Sequence, residues 1–193
     1  MTWLILSVAL WGIVHSIMAS LKFKALLEKW LGTTLMRFYR LFYNIFSAIS
    51  LIPILCLMRI LPERTFYQIP APWLYLMLFA QGLAALGVVF GFFQTGIWEF
   101  VGLEQIMVPN NAPNEKMVIK GLYRYMRHPL YTFGLLFIWL TPIMTVNMLV
   151  VYIASTIYIV IGAYFEERKL LREFGEAYAE YQSITPILVP KFF

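Results

Sequence analysis

Long apolar runs separated by short polar breaks organise the chain. Trp3 to Leu21 is apolar apart from His15 and scattered serines, and Lys22 and Lys24 end it. Phe38 to Met58 is a second run, with Asn44 near its start, and Trp73 to Phe93 is a third, opened by Pro70-Ala71-Pro72. A hydrocarbon layer about 30 Å thick needs about 20 apolar residues per helical crossing, and each of these runs is long enough. Leu130 to Phe165 is too long for one crossing and short for two. It is interrupted by Thr141-Pro142 and by Thr145-Val146-Asn147, which is a turn signal. That pattern predicts a tight helical hairpin with arms at 130–144 and 148–165. The expected architecture is all-α: a single polytopic membrane domain over 1–193. It has five transmembrane helices (about 3–21, 38–58, 73–93, 130–144 and 148–165) and a C-terminal helix outside the bilayer. A cleaved signal peptide would open on basic residues, and Met1-Thr2-Trp3 has none.

The basic residues give this architecture a direction. With five spans and the N-terminus outside, Lys22, Lys24, Lys29, Arg37, Arg40, Lys116, Lys120, Arg124, Arg127, Arg168, Lys169, Arg172 and Lys191 face the cytoplasm. These are 13 of the 15 lysines and arginines, and only Arg59 and Arg64 fall outside. Positive charge concentrates on the cytoplasmic side of membrane proteins, so the net charge of +5 reads as topology and no nucleic-acid partner is needed to explain it. The segments 94–129 and 166–193 then share the cytoplasmic face, where any chemistry is expected. Composition agrees: 61% of the residues are hydrophobic and only 13% charged, against about 45–50% and about 25% in soluble domains. A cytosolic enzyme, a secreted disulfide scaffold and a disordered tail are excluded. The single Cys56 forms no internal disulfide, and the acidic residues are all Glu.

Two clusters could carry chemistry. Gly121-Leu-Tyr-Arg-Tyr-Met-Arg-His-Pro-Leu-Tyr131 places Arg124, Arg127, His128 and three tyrosines just before a hydrophobic run. Pro129 suits the first turn of a helix, whose free amides and positive end suit a carboxylate or phosphate. The plainer reading is a basic, aromatic belt at the membrane interface. Glu166-Glu167-Arg168 lies where the last run ends. One of its carboxylates can face inward to meet an ammonium, ribose hydroxyls or a sulfonium; the plainer reading is a solvated helix face. Beyond it Leu170, Leu171, Phe174, Tyr178 and Tyr181 recur at helical spacing, across a Gly175 that weakens the helix by about 1 kcal/mol. His15, mid-span, reads either as a functional group or, at least as readily, as a link between helices through a serine, and Gly87-Val-Val-Phe-Gly91 as a helix-packing face. Two histidines without an Asp or a nearby Cys make a poor metal site. Dinucleotide-binding and P-loop glycine motifs are absent from the sequence.

In their order these pieces resemble the integral-membrane methyltransferases related to isoprenylcysteine carboxyl methyltransferase and phospholipid methyltransferase. The resemblance is carried by Glu115-Lys-Met-Val118, Gly121-Leu-Tyr123, Arg127-His-Pro-Leu-Tyr131, Glu166-Glu167 and Phe174-Gly-Glu-Ala-Tyr178-Ala-Glu-Tyr181, over roughly half the chain. It implies S-adenosylmethionine held in a cytoplasm-facing pocket, with S-adenosylhomocysteine as product. Lys116, Met117, Val118, Tyr123, His128, Pro129, Leu130 and Tyr131 match the cofactor-contacting positions. Glu166 or Glu167 matches the carboxylate that meets the cofactor, and the register favours Glu166. Arg127 and Glu166 are the residues expected to take part in the reaction.

A closer likeness is to the branch that contains methanethiol S-methyltransferase and the membrane proteins of nitrite and nitric-oxide reduction clusters. It rests on His15-Ser16, Ala19-Ser20, Gly102-Leu-Glu-Gln105, Thr141-Pro-Ile-Met-Thr145, Gly162-x-x-Phe-Glu-Glu-Arg168 and Pro186-Ile-Leu-Val-Pro190. Isoprenylcysteine methyltransferases carry an Arg where this chain has Gly162, and a His where it has Glu115. The resemblance therefore implies a smaller, less charged pocket, suited to a thiol or an uncharged amphiphile. The partners it implies are the lipid bilayer and a small or lipophilic methyl acceptor, either a thiol or an isoprenylcysteine-like or lipid carboxylate. A thiol, with a pKa near 8.5, gains from nearby cations such as Arg127 or Arg124. The rival reading is a membrane sensor or assembly protein that keeps the fold without catalysis. A prokaryotic inner membrane is the expected location.

Overall fold

The computed structural model describes residues 2–107, 117 and 119–191. Among the described residues four helices are long and apolar enough to cross a membrane: α1 (Thr2–Ala19), α3 (Tyr39–Ile60), α4 (Trp73–Thr95) and α8 (Val146–Phe174). Between them lie α2 (Leu21–Met36), strand β1 (Thr65–Gln68), the short helices α5 (Ile97–Val101) and α6 (Glu104–Met107), a 3-10 turn at Gly121–Arg124, α7 (Pro129–Trp139) and strand β2 (Ile143–Thr145). Helix α9 (Glu176–Ile184) follows α8. The chain divides into two compact units: Met1–Arg64 with Gly96–Glu115 and Val146–Ala154, and Thr65–Thr95 with Lys116–Thr145 and Ser155–Phe193.

In the first unit, Leu4, Ile54, Met58 and Val151 form the buried centre. His15 of α1 is the polar link its position suggested. Its Nδ1 lies 2.9 Å from Ser47 Oγ and its Nε2 2.5 Å from the Tyr43 hydroxyl, both on α3, and Trp11 stacks on the ring. In an apolar span such paired groups hold helices together, because the alternative is an unsatisfied polar atom. The basic stretch after α1 is helical and not a loop, because Ser20 caps it by accepting from the Phe23 amide at 3.3 Å. Asn147, expected in a turn, is buried and donates to the carbonyls of Met58, Leu61 and Pro62, which closes the C-terminal end of α3.

In the second unit, α4 and α7 pack through glycines. A Cβ on Gly87 would overlap the Phe133 ring and one on Gly91 would overlap Leu130, so the GxxxG face is a packing face. The expected hairpin is not a tight turn. Its first arm stops at Trp139, a turn follows at Leu140, and the chain becomes a strand at Ile143–Thr145, because Pro142 cannot continue a helix. β2 then pairs antiparallel with β1, with Thr65 opposite Thr145 and Gln68 opposite Ile143. At the far end, α8 runs unbroken past Glu166 to Phe174. Gly175, expected inside a helix, breaks it with φ +57 and ψ −129, a backbone that favours glycine, and α9 begins afresh.

Candidate active site

The site is built where the loop before α7, the last turns of α8 and helix α9 meet in the second unit. His128 precedes a proline, which keeps its backbone out of the helical region (φ −124, ψ 65) and makes it the N-cap of α7, with Pro129 at the first helical position. The chain's end pins this loop. The amides of Arg127 and His128 donate to the carbonyls of Pro186 and Ile187 (2.9 and 3.1 Å), and Thr132 Oγ1 donates to Leu188 O at 2.7 Å. The two amides just before α7 are thus engaged by the tail.

Glu167 is the hub. It is 7% exposed, and its oxygens accept from four side chains. Oε1 accepts from His128 Nε2 and from the Tyr178 hydroxyl, each at 2.7 Å. Oε2 accepts from Arg127 Nη1 and Gln182 Nε2, each at 2.6 Å. Burial alone penalises a charged carboxylate, and these four donors offset that penalty. The reading of Glu166-Glu167 as a solvated helix face does not hold for Glu167.

Glu166 is different. Its side chain is 43% exposed, and the Tyr131 hydroxyl donates to its Oε2 at 2.7 Å. His128 Nδ1 lies 3.6 Å from the same oxygen, too far for a hydrogen bond. Among the described residues its Oε1 has no partner. Tyr131 stacks flat on the His128 ring, with centroids 5.2 Å apart and planes 7° apart. Tyr123 is half-buried and its carbonyl accepts from the Tyr181 hydroxyl. Burial, with nearby Glu166 and Tyr181, pushes its phenol well above the ordinary tyrosine range. Burial also raises the Tyr178 phenol, helped by its bond to Glu167, and lifts Tyr181 to about 12. All three phenols therefore stay protonated and able to donate.

The structure thus brings together Arg127, His128, Tyr131, Glu166, Glu167 and Tyr123 from the sequence-based set. Pro129 is fully buried, Leu130 lies over Gly91 of α4, and Met117 is half-buried. Lys116 and Val118 lie outside the described residues. Arg127, expected to favour a thiol as a nearby cation, is paired with Glu167, and its Nε is buried without a hydrogen-bond partner among the described residues. Sequence reasoning missed Tyr178 and Gln182 as partners of Glu167, and Gln94, whose Oε1 accepts from the Leu122 amide at 3.0 Å. The sequence places Tyr178 in an apolar stripe and in the motif that carries the family resemblance, with no role at the site, and nothing in it distinguishes Gln182 or Gln94. Among the described residues no cluster of three or more histidine, cysteine or acidic side chains is placed to hold a metal ion.

Residues 76–177 match the phospholipid methyltransferase family. Three similar proteins are bacterial. "Methanethiol S-methyltransferase 1" of Bradyrhizobium diazoefficiens is 30% identical over 96% of this chain and 65% of its own length. "Methanethiol S-methyltransferase 2" of the same organism is 32% identical over 98% and 73%. The methanethiol S-methyltransferase of Crocosphaera subtropica is 31% identical over 98% and 75%. The chain therefore spans 65% to 75% of the length of these relatives. No solved structure matches it.

Proposed function

The chain belongs to the phospholipid methyltransferase family, and on that premise we propose that it is a membrane S-methyltransferase that moves a methyl group from S-adenosylmethionine to a small thiol. The relatives named for methanethiol support the thiol. So does Gly162, one helical turn before Glu166, where open space surrounds the Cα. The observation that carries the reading is the division between the two glutamates: Glu167 is buried and saturated, while Glu166 is outward with one oxygen unengaged.

The donor set fits the cofactor. Glu166 and His128 Nδ1 present acceptors to an ammonium or to ribose hydroxyls, and Glu166 brings negative charge beside a cationic group. Tyr123, Tyr131 and Met117 would line the same pocket, with Lys116 and Val118 flanking Met117 in the sequence and Pro129 and Leu130 fixing the start of α7. When bound, S-adenosylmethionine supplies an activated methyl group on a sulfonium sulfur and is released as S-adenosylhomocysteine. The thiolate is the nucleophilic form of a thiol. Glu166, half-exposed, is placed to accept the thiol proton and pass it to water. Arg127 Nε–H, buried without an acceptor among the described residues, is an unused donor held beside Glu167. Most of the remaining work is positioning and exclusion of water.

The membrane arrangement follows the same reading. The helical stretch from Val146 to Phe165 rises about 30 Å, which sets Glu166 at the edge of the hydrocarbon. α7 is 11 residues long and reaches about 16 Å, and the non-helical segment up to Thr145 adds at most about 20 Å. Together they form a fifth crossing beside α4. Its non-helical backbone is satisfied: Gln81 Nε2 donates to Phe137 O and the Tyr67 hydroxyl to Thr141 O, both at 2.8 Å. The location is a bacterial inner membrane.

The test is transfer of labelled methyl in membranes containing the protein, with a short alkanethiol as acceptor. The expected result is a volatile labelled thioether, reduced about 100-fold or more by Glu166→Ala. Label confined to base-labile esters or to stable lipid, with none on thiol, overturns the substrate reading.

A further inference from the structure

We infer that Glu167 is a positioning residue: it fixes the tautomer and plane of His128 and does not itself meet the cofactor. A carboxylate offers about four lone-pair sites. Those of Glu167 are all taken, by His128 and Tyr178 on Oε1 and by Arg127 and Gln182 on Oε2. At 7% exposure no fifth partner has access. An ionised carboxylate accepts only, so His128 Nε2 carries the proton in that contact and Nδ1 is left with its lone pair. Stacking on Tyr131 holds the ring in the orientation that turns Nδ1 toward Glu166.

The consequence lies in the 3.6 Å gap between Nδ1 and Glu166 Oε2. With the proton on Nε2 both atoms are acceptors, and neither can satisfy the other. A ligand group with two N–H or O–H bonds to give, such as an ammonium or a pair of hydroxyls, satisfies both at once. In the opposite tautomer Nδ1–H would be drawn toward Glu166 across that gap, and Nδ1 would no longer be an acceptor for a bound group. Glu167 thus keeps the ligand-facing pair open from the far side of the imidazole. Naming the ligand as S-adenosylmethionine rests on the proposed function; the tautomer does not.

The sequence contains only two histidines, so nitrogen-15 spectra of the histidine-labelled full chain in detergent hold two imidazoles. At pH 8.5 the wild-type His128 ring is expected with its proton on Nε2. In Glu167→Gln, whose amide leaves a single accepting oxygen where two met four donors, that preference is weakened while the His15 pattern stays unchanged and reports an intact fold. In Tyr178→Phe, which leaves the carboxylate in place, the preference is kept. Calorimetry with S-adenosylhomocysteine supplies the second readout. Glu167→Gln weakens binding about tenfold, and the Glu167→Gln/His128→Ala double variant binds no worse than His128→Ala alone. A wild-type ring with a proton on Nδ1 overturns the inference, as does full additivity of the two substitutions. If the wild type binds no S-adenosylhomocysteine the methyltransferase reading fails, yet the spectra still decide the role of Glu167. The wild-type spectrum does so even if Glu167→Gln does not fold.

Discussion

Replacing Arg127 with leucine would leave the Glu167 carboxylate, at 7% exposure, without the arginine charge that pairs with it among the described residues. Breaking a buried ion pair from one side is strongly destabilising, about 3–5 kcal/mol, because the remaining charge stays desolvated. The expected outcome is a marked fall in the thermal midpoint in detergent. Removing both members together, as Arg127→Leu/Glu167→Leu, recovers part of the loss. An Arg127→Leu variant as stable as the wild type would mean that the pair carries no such weight. Gly121 is constrained in another way. It sits at φ +60, and a Cβ there would overlap the Gln94 amide that holds the Leu122 N–H. Gly121→Ala is therefore expected to cost about 1–2 kcal/mol for the left-handed backbone alone, plus the displacement of Gln94. Gln94→Ala in the same chain relieves the overlap but not the backbone term, and equal stability of the single and double variants would show that the overlap is unimportant.

Among the helices, α4 offers a matched comparison. Gly87→Ala places a methyl group against the Phe133 ring, whereas Gly82→Ala meets nothing within 4 Å. Overpacking costs about 1–3 kcal/mol, while an unhindered Gly→Ala in a helix gains up to about 1 kcal/mol. The two thermal midpoints should move in opposite directions; a shared direction would mean that α4 and α7 do not pack through Gly87. Helix α9 adds a dependence on pH. Tyr178 and Tyr181 are buried, and their phenols lie above the usual 10, Tyr181 at about 12. The folded state then keeps protons that the unfolded chain has released, so stability is complete below about pH 10 and is lost as pH rises toward 12. Tyr181→Phe should flatten that alkaline slope in chemical unfolding.

These element-scale outcomes also explain what the sequence could and could not reveal. The long apolar helices were legible because hydrocarbon thickness dictates their length, and the glycine face of α4 because small residues recur at one helical spacing. The β1–β2 pair was not. Strands of four and three residues, separated by the whole of α4 and α7, leave no periodicity to read. Gly175 was visible as a weak helix residue, but its role as a break depends on a positive φ that composition does not announce. That break turns α9 back so that Tyr178 and Gln182 reach Glu167. The site's charged members were therefore readable one by one, while the hub that joins them was not.

For the whole molecule, the concentrated positive charge predicts an orientation that the chain's own anatomy can test. If α1, α3, α4, the α7–β2 segment and α8 all cross, β1 lies outside and Arg172, near the end of α8, lies inside with Glu166. Four crossings, with the α7–β2 segment dipping in and returning, would put both termini on one side. The lone Cys56 is first replaced by serine, and single cysteines are introduced at Phe66, which is exposed on β1, at Thr2 and at Arg172. With a membrane-impermeant maleimide on intact cells, Phe66→Cys and Thr2→Cys should label at once, and Arg172→Cys only after permeabilisation. Labelling of Thr2→Cys and Arg172→Cys from the same side would reduce the count to four. Protection of Phe66→Cys with ready labelling of Arg172→Cys would reverse the orientation. Because the concentration of lysine and arginine is what sets orientation, the outcome also tests whether the +5 charge is a record of topology, with the candidate site on the side from which a water-soluble cofactor arrives.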